Sequence, residues 1–383
     1  MKSYNTVIIG GGASGCMVAM SSACDSVAII DANKSLAKKI MVTGNGRCNL
    51  TNINMSSDYF NTNIDRYLNR FDEKQTLAFF DSIGLETYYD EEGRVYPISN
   101  SAKSVVDVIL DNMENKVEAC LDQKVVDINK TKDGFQVATE TEIYLCKRVV
   151  VATGGNTIID IVKKLGVETI PFVPSLTALK CNEIRDLNGV RVANVMVTAS
   201  NAIGETKREK GEVLFKDGGI SGIVIFNLST MFARRNSFKG KITIDLLPDI
   251  TREELCKKII KRKGLNVPLN KLFVGMFVNS IANEIFRQCK INTNIHSSKL
   301  TDTQVGEIAD TIKNLTYTVN GCYDNNQVYS GGVSLGALDE NLMSKDVPNL
   351  YFTGEICNVD GVCGGYNLQW AWTSGKIVGG CLW

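Results

Sequence analysis

The chain has 383 residues, with 42 lysines and arginines against 42 aspartates and glutamates, so it carries no formal net charge. That balance argues against bulk attraction to nucleic acid or to an anionic membrane, and no apolar run approaches the length that spans a bilayer. Twelve cysteines and one histidine form no Cys-x-x-Cys pair. Zinc and ferredoxin-type ligand sets are therefore absent, no metal is expected, and most of the thiols read as buried hydrophobes of a reducing compartment.

At this length two or three domains are expected. Met1 to Asn5 leads directly into the first strand, without a charged region and a separate apolar region, so a cytoplasmic protein is expected. Val7-Ile8-Ile9 enters Gly10-Gly11-Gly12-Ala13-Ser14-Gly15, a helix-compatible segment from Cys16 to Met20 leaves it, and Val27-Ala28-Ile29-Ile30 ends in Asp31. This is the pattern of a βαβ unit with a phosphate-binding turn. Gly10 turns the strand, Gly12 removes the Cβ that would block a pyrophosphate, and Gly15 lets helix and strand pack closely. The free N–H groups of the helix start then face the anion. Asp31 lies where an acceptor would take a ribose hydroxyl pair.

Thr43 to Asn52 has no periodicity and is a loop rich in hydrogen-bonding groups. It is either a solvated loop or, through Gly46, Arg47, Cys48 and Asn49, one that contacts a flat ligand. Asp72 and Gln75 cap a helix through Leu77, Phe80 and Ile83, and a second helix runs from about Ser101 to Met113. Short alternating runs at 117–120, 124–128 and 135–139 read as strands. Arg148 to Val151 is a buried strand expected beside the first, ending in Thr153-Gly154-Gly155 at the sheet edge where open α/β sheets bind ligands. No second phosphate fingerprint appears, so one dinucleotide is held firmly and any other only in passing.

From Pro171 to about Pro248, strand-like runs at 190–199, 211–215, 223–226 and 241–246 alternate with glycine turns, which indicates a β-rich domain. Thr251 with Glu254 and Thr301 with Gln304 form capping boxes for two helices, and a third carries Leu272, Phe273, Met276, Phe277, Ile281, Ile285 and Phe286. The basic cluster from Lys257 to Lys263 reads as a solvated helix face, and His296 as a surface loop residue. Leu350 to Phe352 is a further strand, followed by Thr353-Gly354-Glu355. Asp360-Gly361-Val362-Cys363-Gly364-Gly365-Tyr366-Asn367 then opens a last helix. A glycine-rich helix start suits an isoalloxazine, whose reduced form gathers negative charge near N1 and the C2 carbonyl. Glu355 suits hydrogen bonds to the ribityl chain or close to the phosphates.

On Gly10 to Gly15, Thr43 to Asn52, Ala152 to Gly155, Pro174-Ser175-Leu176, Gly211 to Phe215 with Gly219 to Gly222, and Thr353 through Gly364-Gly365-Tyr366-Asn367-Leu368-Gln369 to Trp372, the chain resembles a flavoprotein family over nearly its whole length. That family is the FAD-dependent group of BaiN, YhiN-like and aminoacetone oxidase-like proteins. The resemblance implies an α/β fold: a glutathione-reductase-like FAD-binding Rossmann domain with an inserted β-barrel-like domain that carries a small helical domain. The expected layout is an FAD-binding domain over 1–170 and 332–383, a β-rich domain over 171–249 with a return strand at 316–331, and a helical insertion over 250–315. The family reads Asp where Asn358 stands here, so one acidic group near the flavin is missing.

The expected function is an FAD-dependent oxidoreductase acting on a small molecule, a nicotinamide-linked reductase or dehydrogenase with hydride transfer through flavin N5 and NADH or NADPH as transient donor. The alternatives are an FAD-dependent amine oxidase and a flavin-containing RNA-binding or RNA-modifying protein. Arg47, Cys48, Cys363 and Tyr366 are the candidate catalytic residues. The cofactor-binding candidates are Gly10, Gly12, Ala13, Ser14, Gly15, Asp31, Lys39, Gly46, Arg47, Cys48, Asn49, Val125, Thr153, Gly154, Gly155, Gly354, Glu355, Asp360, Gly361, Gly364, Gly365, Tyr366 and Asn367.

Overall fold

The apolar run that opens the chain builds β1 (Lys2–Ile9), whose Val7, Ile8 and Ile9 are buried as a central parallel strand requires. α1 (Ala13–Ser21) returns the chain to β2 (Val27–Ile30), paired parallel with β1 from Thr6 opposite Val27 to Ile9 opposite Ile30. The structure, a computed structural model, describes residues 2–155 and 157–382. The chain continues through β3 (Thr51–Asn52), α2 (Asp65–Leu68), α3 (Glu73–Ser82), β4 (Thr87–Tyr89), β5 (Arg94–Pro97) and α4 (Ala102–Met113). Then come β6 (Glu118–Cys120), β7 (Val125–Thr131), β8 (Gly134–Thr139), β9 (Ile143–Val151), α5 (Ile159–Lys164) and β10 (Thr169–Ser175).

β9 lies parallel to β1 on the side away from β2, with Val7 opposite Val149 and Ile9 opposite Val151. The main sheet therefore runs β6-β2-β1-β9-β8-β7, the last three strands forming an antiparallel meander. β3, β5 and β4 make a separate small antiparallel sheet. The Asp72 and Gln75 capping box closes the start of α3 in both directions.

Residues Pro174–Gln327 form a second unit with its own core. β11 (Leu179–Cys181), β12 (Arg191–Asn201), β13 (Thr206–Lys216), β14 (Gly219–Ser221), β15 (Gly240–Asp245) and β16 (Leu315–Cys322) close into a barrel in the order β11-β14-β13-β12-β15-β16. α6 (Ile223–Ala233) packs on it, and α7 (Arg252–Lys263), α8 (Asn279–Gln288) and α9 (Asp302–Lys313) pack on one another. Leu255, Ile285 and Ile308 of these last helices share one continuous core with Val197, Phe215 and Ile244 of the barrel.

Two local expectations are corrected here. Ile223–Phe226 is the first turn of α6, not a strand: Gly222 at φ +116° turns the chain, and four apolar residues in a row, of which only Val224 and Ile225 are buried, carry no period that separates the two states. Leu272 to Phe277 is not helical with Ile281, because Gly275 at φ +80° interrupts the run and α8 begins only at Asn279. His296 is exposed, its Nδ1 3.0 Å from the Asn266 carbonyl.

Both capping boxes of this unit are made, Thr251 accepting from the Glu254 amide and Thr301 from the Gln304 amide. Thr251→Ala is expected to lower unfolding stability by about 1 kcal/mol. In urea the midpoint should fall with no change of slope.

In the first unit, β17 (Val328–Val333) pairs with β10, β18 (Leu350–Phe352) extends the main sheet parallel to β9, and α10 (Tyr366–Gly380) closes the chain. Among the described residues no helix is long and apolar enough to cross a membrane.

Candidate functional site

The first turn divides its glycines by what surrounds them. Gly10 has φ +100°, and a Cβ there would stand 2.5 Å from the Ala152 carbonyl oxygen; one at Gly15 would stand 2.0 Å from the Gly10 carbonyl oxygen. These two are demanded by backbone packing. A Cβ at Gly12 would meet no atom within 4 Å. Gly12 caps α1 without a side-chain partner, so the amides of Ala13 and Ser14 are the unpaired donors that every helix start leaves, under open space. Beside them, Thr153 Oγ1 is buried with no hydrogen-bond partner. An open cradle over a helix start, next to an unsatisfied hydroxyl, fits the phosphate and ribityl portions of a dinucleotide.

Asp31 is fixed before any ligand arrives. Its Oδ2 accepts from the Gly11 amide at 2.7 Å and its Oδ1 from the Asn33 amide at 2.7 Å. The Gln123 amide donates to the Asp31 carbonyl at 2.9 Å, which draws the start of β7, with buried Val125, to the same loop. Glu355 is held at both oxygens, by Lys39 Nζ at 2.8 Å and by the Tyr329 amide at 2.9 Å, and lies over Gly154. Gly354 contacts Ser14, and Gly155 lies against the Tyr329 ring. The structure thus brings the Gly12–Ser14 turn together with Lys39, Gly154 and Glu355, which are far from it in the chain.

The second glycine turn stands in a defined relation to the first. A Cβ at Gly375 would be 2.6 Å from the Ser14 carbonyl oxygen, and one at Gly379 2.7 Å from that of Val18, so α10 lies directly on α1. The contacts advance in the same direction on both helices, which makes them parallel. Tyr366 stands nine residues before Gly375 and Ala13 one before Ser14, so the α10 start lies roughly 12 Å ahead of the α1 start along the helix axes. Two parallel helix starts with that offset can serve two electron-rich ends of one extended ligand.

The loop from Gly44 to Asn52 is bolted to the α10 start. The Asn49 amide accepts from the Gly365 N–H at 3.1 Å and donates to the Thr51 carbonyl at 3.0 Å. Asn52 Nδ2 donates to the Gly364 carbonyl at 3.0 Å, and Thr51 Oγ1 donates to Gln369 Oε1 at 2.6 Å. Gln369 Nε2 donates in turn to Thr76 Oγ1 at 2.8 Å and Thr373 Oγ1 at 3.0 Å. Trp370 Nε1 donates to the Gly354 carbonyl and Trp372 Nε1 to that of Leu50. Residues 369, 370 and 372 are therefore internal ties. Asn367 clamps Gly361 through its N–H and its carbonyl, both at 2.8 Å. Asp360 is buried, its amide donating to Asn61 Oδ1, and Asn358 Oδ1 accepts from the Gly331 amide at 3.2 Å and from Asn61 Nδ2 at 3.3 Å.

The four candidate catalytic side chains are placed very differently. Cys48 is wholly buried at φ +60°, and burial pushes its thiol up to about 12. It is a neutral core side chain, out of reach of substrate. Because its folded value lies above the ordinary value of 9, its share of stability is complete below pH 9 and is lost as pH rises toward 12. Iodoacetamide at pH 8 is expected to leave Cys48 unmodified in the native protein and to label it in urea; peptide mass mapping checks this. Cys363 is half-buried. Tyr366 is 5% exposed and stacks on Tyr59 with ring centroids 4.4 Å apart, its phenol pushed up by burial and then by Tyr59. Arg47 is half-buried, with its guanidinium 4.4 Å above the centre of the Tyr96 ring. Neither Tyr59 nor Tyr96 was marked by any linear pattern; each reaches its partner only through the tertiary fold.

The HI0933-like protein Rossmann domain family matches residues 4–381. The chain is 31% identical to the 3-dehydro-bile acid delta(4,6)-reductase of Clostridium scindens, over 97% of each chain. It is 27% identical to the ribosomal RNA dihydrouridine synthase of Escherichia coli, over 98% of this chain and 96% of that one. It is 26% identical to the ribosomal RNA dihydrouridine synthase of Haemophilus influenzae, over 98% of this chain and 97% of that one. The chain belongs to the HI0933-like Rossmann family, a family of FAD-dependent oxidoreductases.

Proposed function

We propose that the protein is a nicotinamide-linked, FAD-dependent reductase that saturates a carbon–carbon double bond conjugated to a carbonyl in a small cyclic substrate. The observation that carries this reading is the pair of parallel helix starts, one of them open above Gly12. The relative that reduces a bile-acid intermediate supplies the reaction class.

In this reading the Ala13 and Ser14 amides receive the diphosphate, with Gly10 and Gly15 shaping the turn, and Asp31 and the backbone near Val125 receive the adenosine ribose. Lys39, Thr153, Gly154, Gly155, Gly354 and Glu355 line the ribityl stretch. Gly46, Cys48, Asn49, Asp360, Gly361, Gly364, Gly365, Tyr366 and Asn367 enclose the isoalloxazine end. When bound, FAD supplies hydride chemistry. The first-turn amides of α10 stabilise negative charge at that end. Tyr366 keeps its proton through neutral pH because burial disfavours the phenolate, so its phenol is the proton donor proposed there. Reduction adds a hydride to one carbon and a proton to its neighbour, the two electrons coming from NADH or NADPH. One phosphate fingerprint leaves the nicotinamide nucleotide no resident site of its own.

Anaerobic mixing with NADH or NADPH is expected to bleach the flavin, and a steroidal 4,6-dien-3-one to restore its colour. Bleaching by an amine without nicotinamide would instead support an oxidase. The two dihydrouridine synthase relatives favour a second reading, in which the double bond is that of a uridine in RNA. Salt-dependent retention of ribosomal RNA, with dihydrouridine formed on reduction, distinguishes it.

A further inference from the structure

We propose that the stack formed by Arg47, Tyr96 and Tyr88 is the seat of the substrate's conjugated ring, with the Arg47 guanidinium donating to its carbonyl oxygen; this rests on the reductase reading above. Arg47 Nε is engaged by the Gly44 carbonyl at 3.3 Å, and among the described residues no carboxylate pairs with the guanidinium. Arginine has five N–H donors, so four remain for a ligand. The nearby cation Arg94 is spent differently, on Asp90 at 2.8 Å and Glu92 at 2.9 Å. A half-buried cation left without a counter-charge is costly unless something else accepts from it.

The support beneath Arg47 is built. Tyr96 is 3% exposed and sits opposite Tyr88 across the β4–β5 pair, their rings 6.0 Å apart. Tyr88 is 37% exposed and is fixed at its other end, its hydroxyl donating to Asn100 Oδ1 at 2.6 Å. The loop that carries Arg47 holds Gly44, Asn45, Gly46 and Cys48 at φ between +55° and +80°, an arrangement maintained only where neighbours enforce it. One residue beyond Cys48, Asn49 binds the amide of Gly365, the residue that caps α10. Arg47 is thus set beside the helix start assigned to the isoalloxazine.

This surface selects by chemistry. A planar ring covers the guanidinium and the aromatic edge, while a carbonyl oxygen on that ring takes the charge-assisted donors, whose hold tightens as the oxygen gains negative charge during reduction. A saturated, puckered ring satisfies the second demand and not the first. The ligand class is therefore a cyclic enone, whether in a steroid or in a uracil ring.

The test uses oxidised holoenzyme without reductant, titrated with 4-androstene-3,17-dione and, separately, with uridine, and read by perturbation of the flavin absorbance. Flavin content and FAD affinity are measured in parallel. Arg47→Ala is expected to weaken binding of the accepted probe by ~10- to 100-fold, the loss of charge-assisted hydrogen bonds, with FAD retained. Arg47→Lys should lose ~5-fold or more, since an ammonium lacks the planar fork. Tyr96→Phe, which keeps the ring, should change affinity by no more than ~2-fold. Tighter steroid binding or tighter uridine binding each supports the seat and identifies its source. Unchanged probe affinity in Arg47→Ala overturns the assignment while leaving the reductase reading intact. Equal loss of probe and FAD overturns it too, because Arg47 would then hold the cofactor. If the unaltered protein binds neither probe, the reductase reading falls and this inference with it.

Discussion

Replacing Gly12 by valine is expected to strip FAD from the protein without unfolding it. The position has φ −78° and ψ −168°, extended backbone that valine adopts readily, and the added Cβ meets no protein atom within 4 Å. The new side chain instead fills the space above the Ala13 and Ser14 amides. Loss of two charge-assisted hydrogen bonds there costs about 3 kcal/mol, or on the order of 100-fold in FAD affinity. The apo-protein's melting temperature should move by no more than about 2 °C. Gly15→Val is the contrast: its Cβ would lie 2.0 Å from the Gly10 carbonyl oxygen, so α1 cannot stay in place and the fold itself should fail. Comparing thermal melts of the two apo-proteins with their flavin content separates a ligand-facing glycine from a packing one.

Gln369→Leu is expected to show the largest stability loss of any single change at the α10 start that leaves the backbone free of strain. Gln369 is wholly buried and joins Thr51, Thr76 and Thr373. Leucine matches its volume but leaves the buried hydroxyls of Thr51 and Thr76 without this partner, while Thr373 keeps its bond to the Phe71 carbonyl, at a cost of about 2–4 kcal/mol in total. Chemical denaturation should show it directly. FAD affinity should fall as well, because Thr51 ties the loop that carries Arg47 and Asn49 to α10. Thr51→Val should reproduce part of both effects.

The physical reasons for this pattern also explain what could be read from the chain beforehand. Local rules decide the first βαβ turn: a glycine at φ +100° and another under a carbonyl are dictated by neighbours within a few residues or by the adjacent strand, while the third, Gly12, faces open space. The capping boxes at Asp72, Thr251 and Thr301 are equally local, and all three are made. Reading failed where a short, uniformly apolar run held no period to separate strand from helix, as at Ile223–Phe226, and where one glycine outweighed an apolar run, as at Gly275.

Within the second glycine turn, residue type alone did not separate ligand-facing groups from internal ties. Gln369, Trp370 and Trp372 stand in the same segment as the cofactor candidates Gly364 to Asn367, yet each is buried and bonded to a distant backbone or hydroxyl group. Cys48 shares a loop with Arg47 and is sealed from solvent, while Arg47 rests on a tyrosine 49 positions later in the chain. Such partners are products of sheet register and helix packing, which no spacing in the sequence encodes.

The most direct measurement is a crystal structure of the protein grown with FAD. The diphosphate is expected within hydrogen-bond distance of the Ala13 and Ser14 amides, with the isoalloxazine against the first turn of α10 and beside Arg47. A diphosphate bound elsewhere, or an isoalloxazine directed away from Tyr366 while the adenosine end occupies the first turn, would contradict one extended cofactor lying across two parallel helix starts.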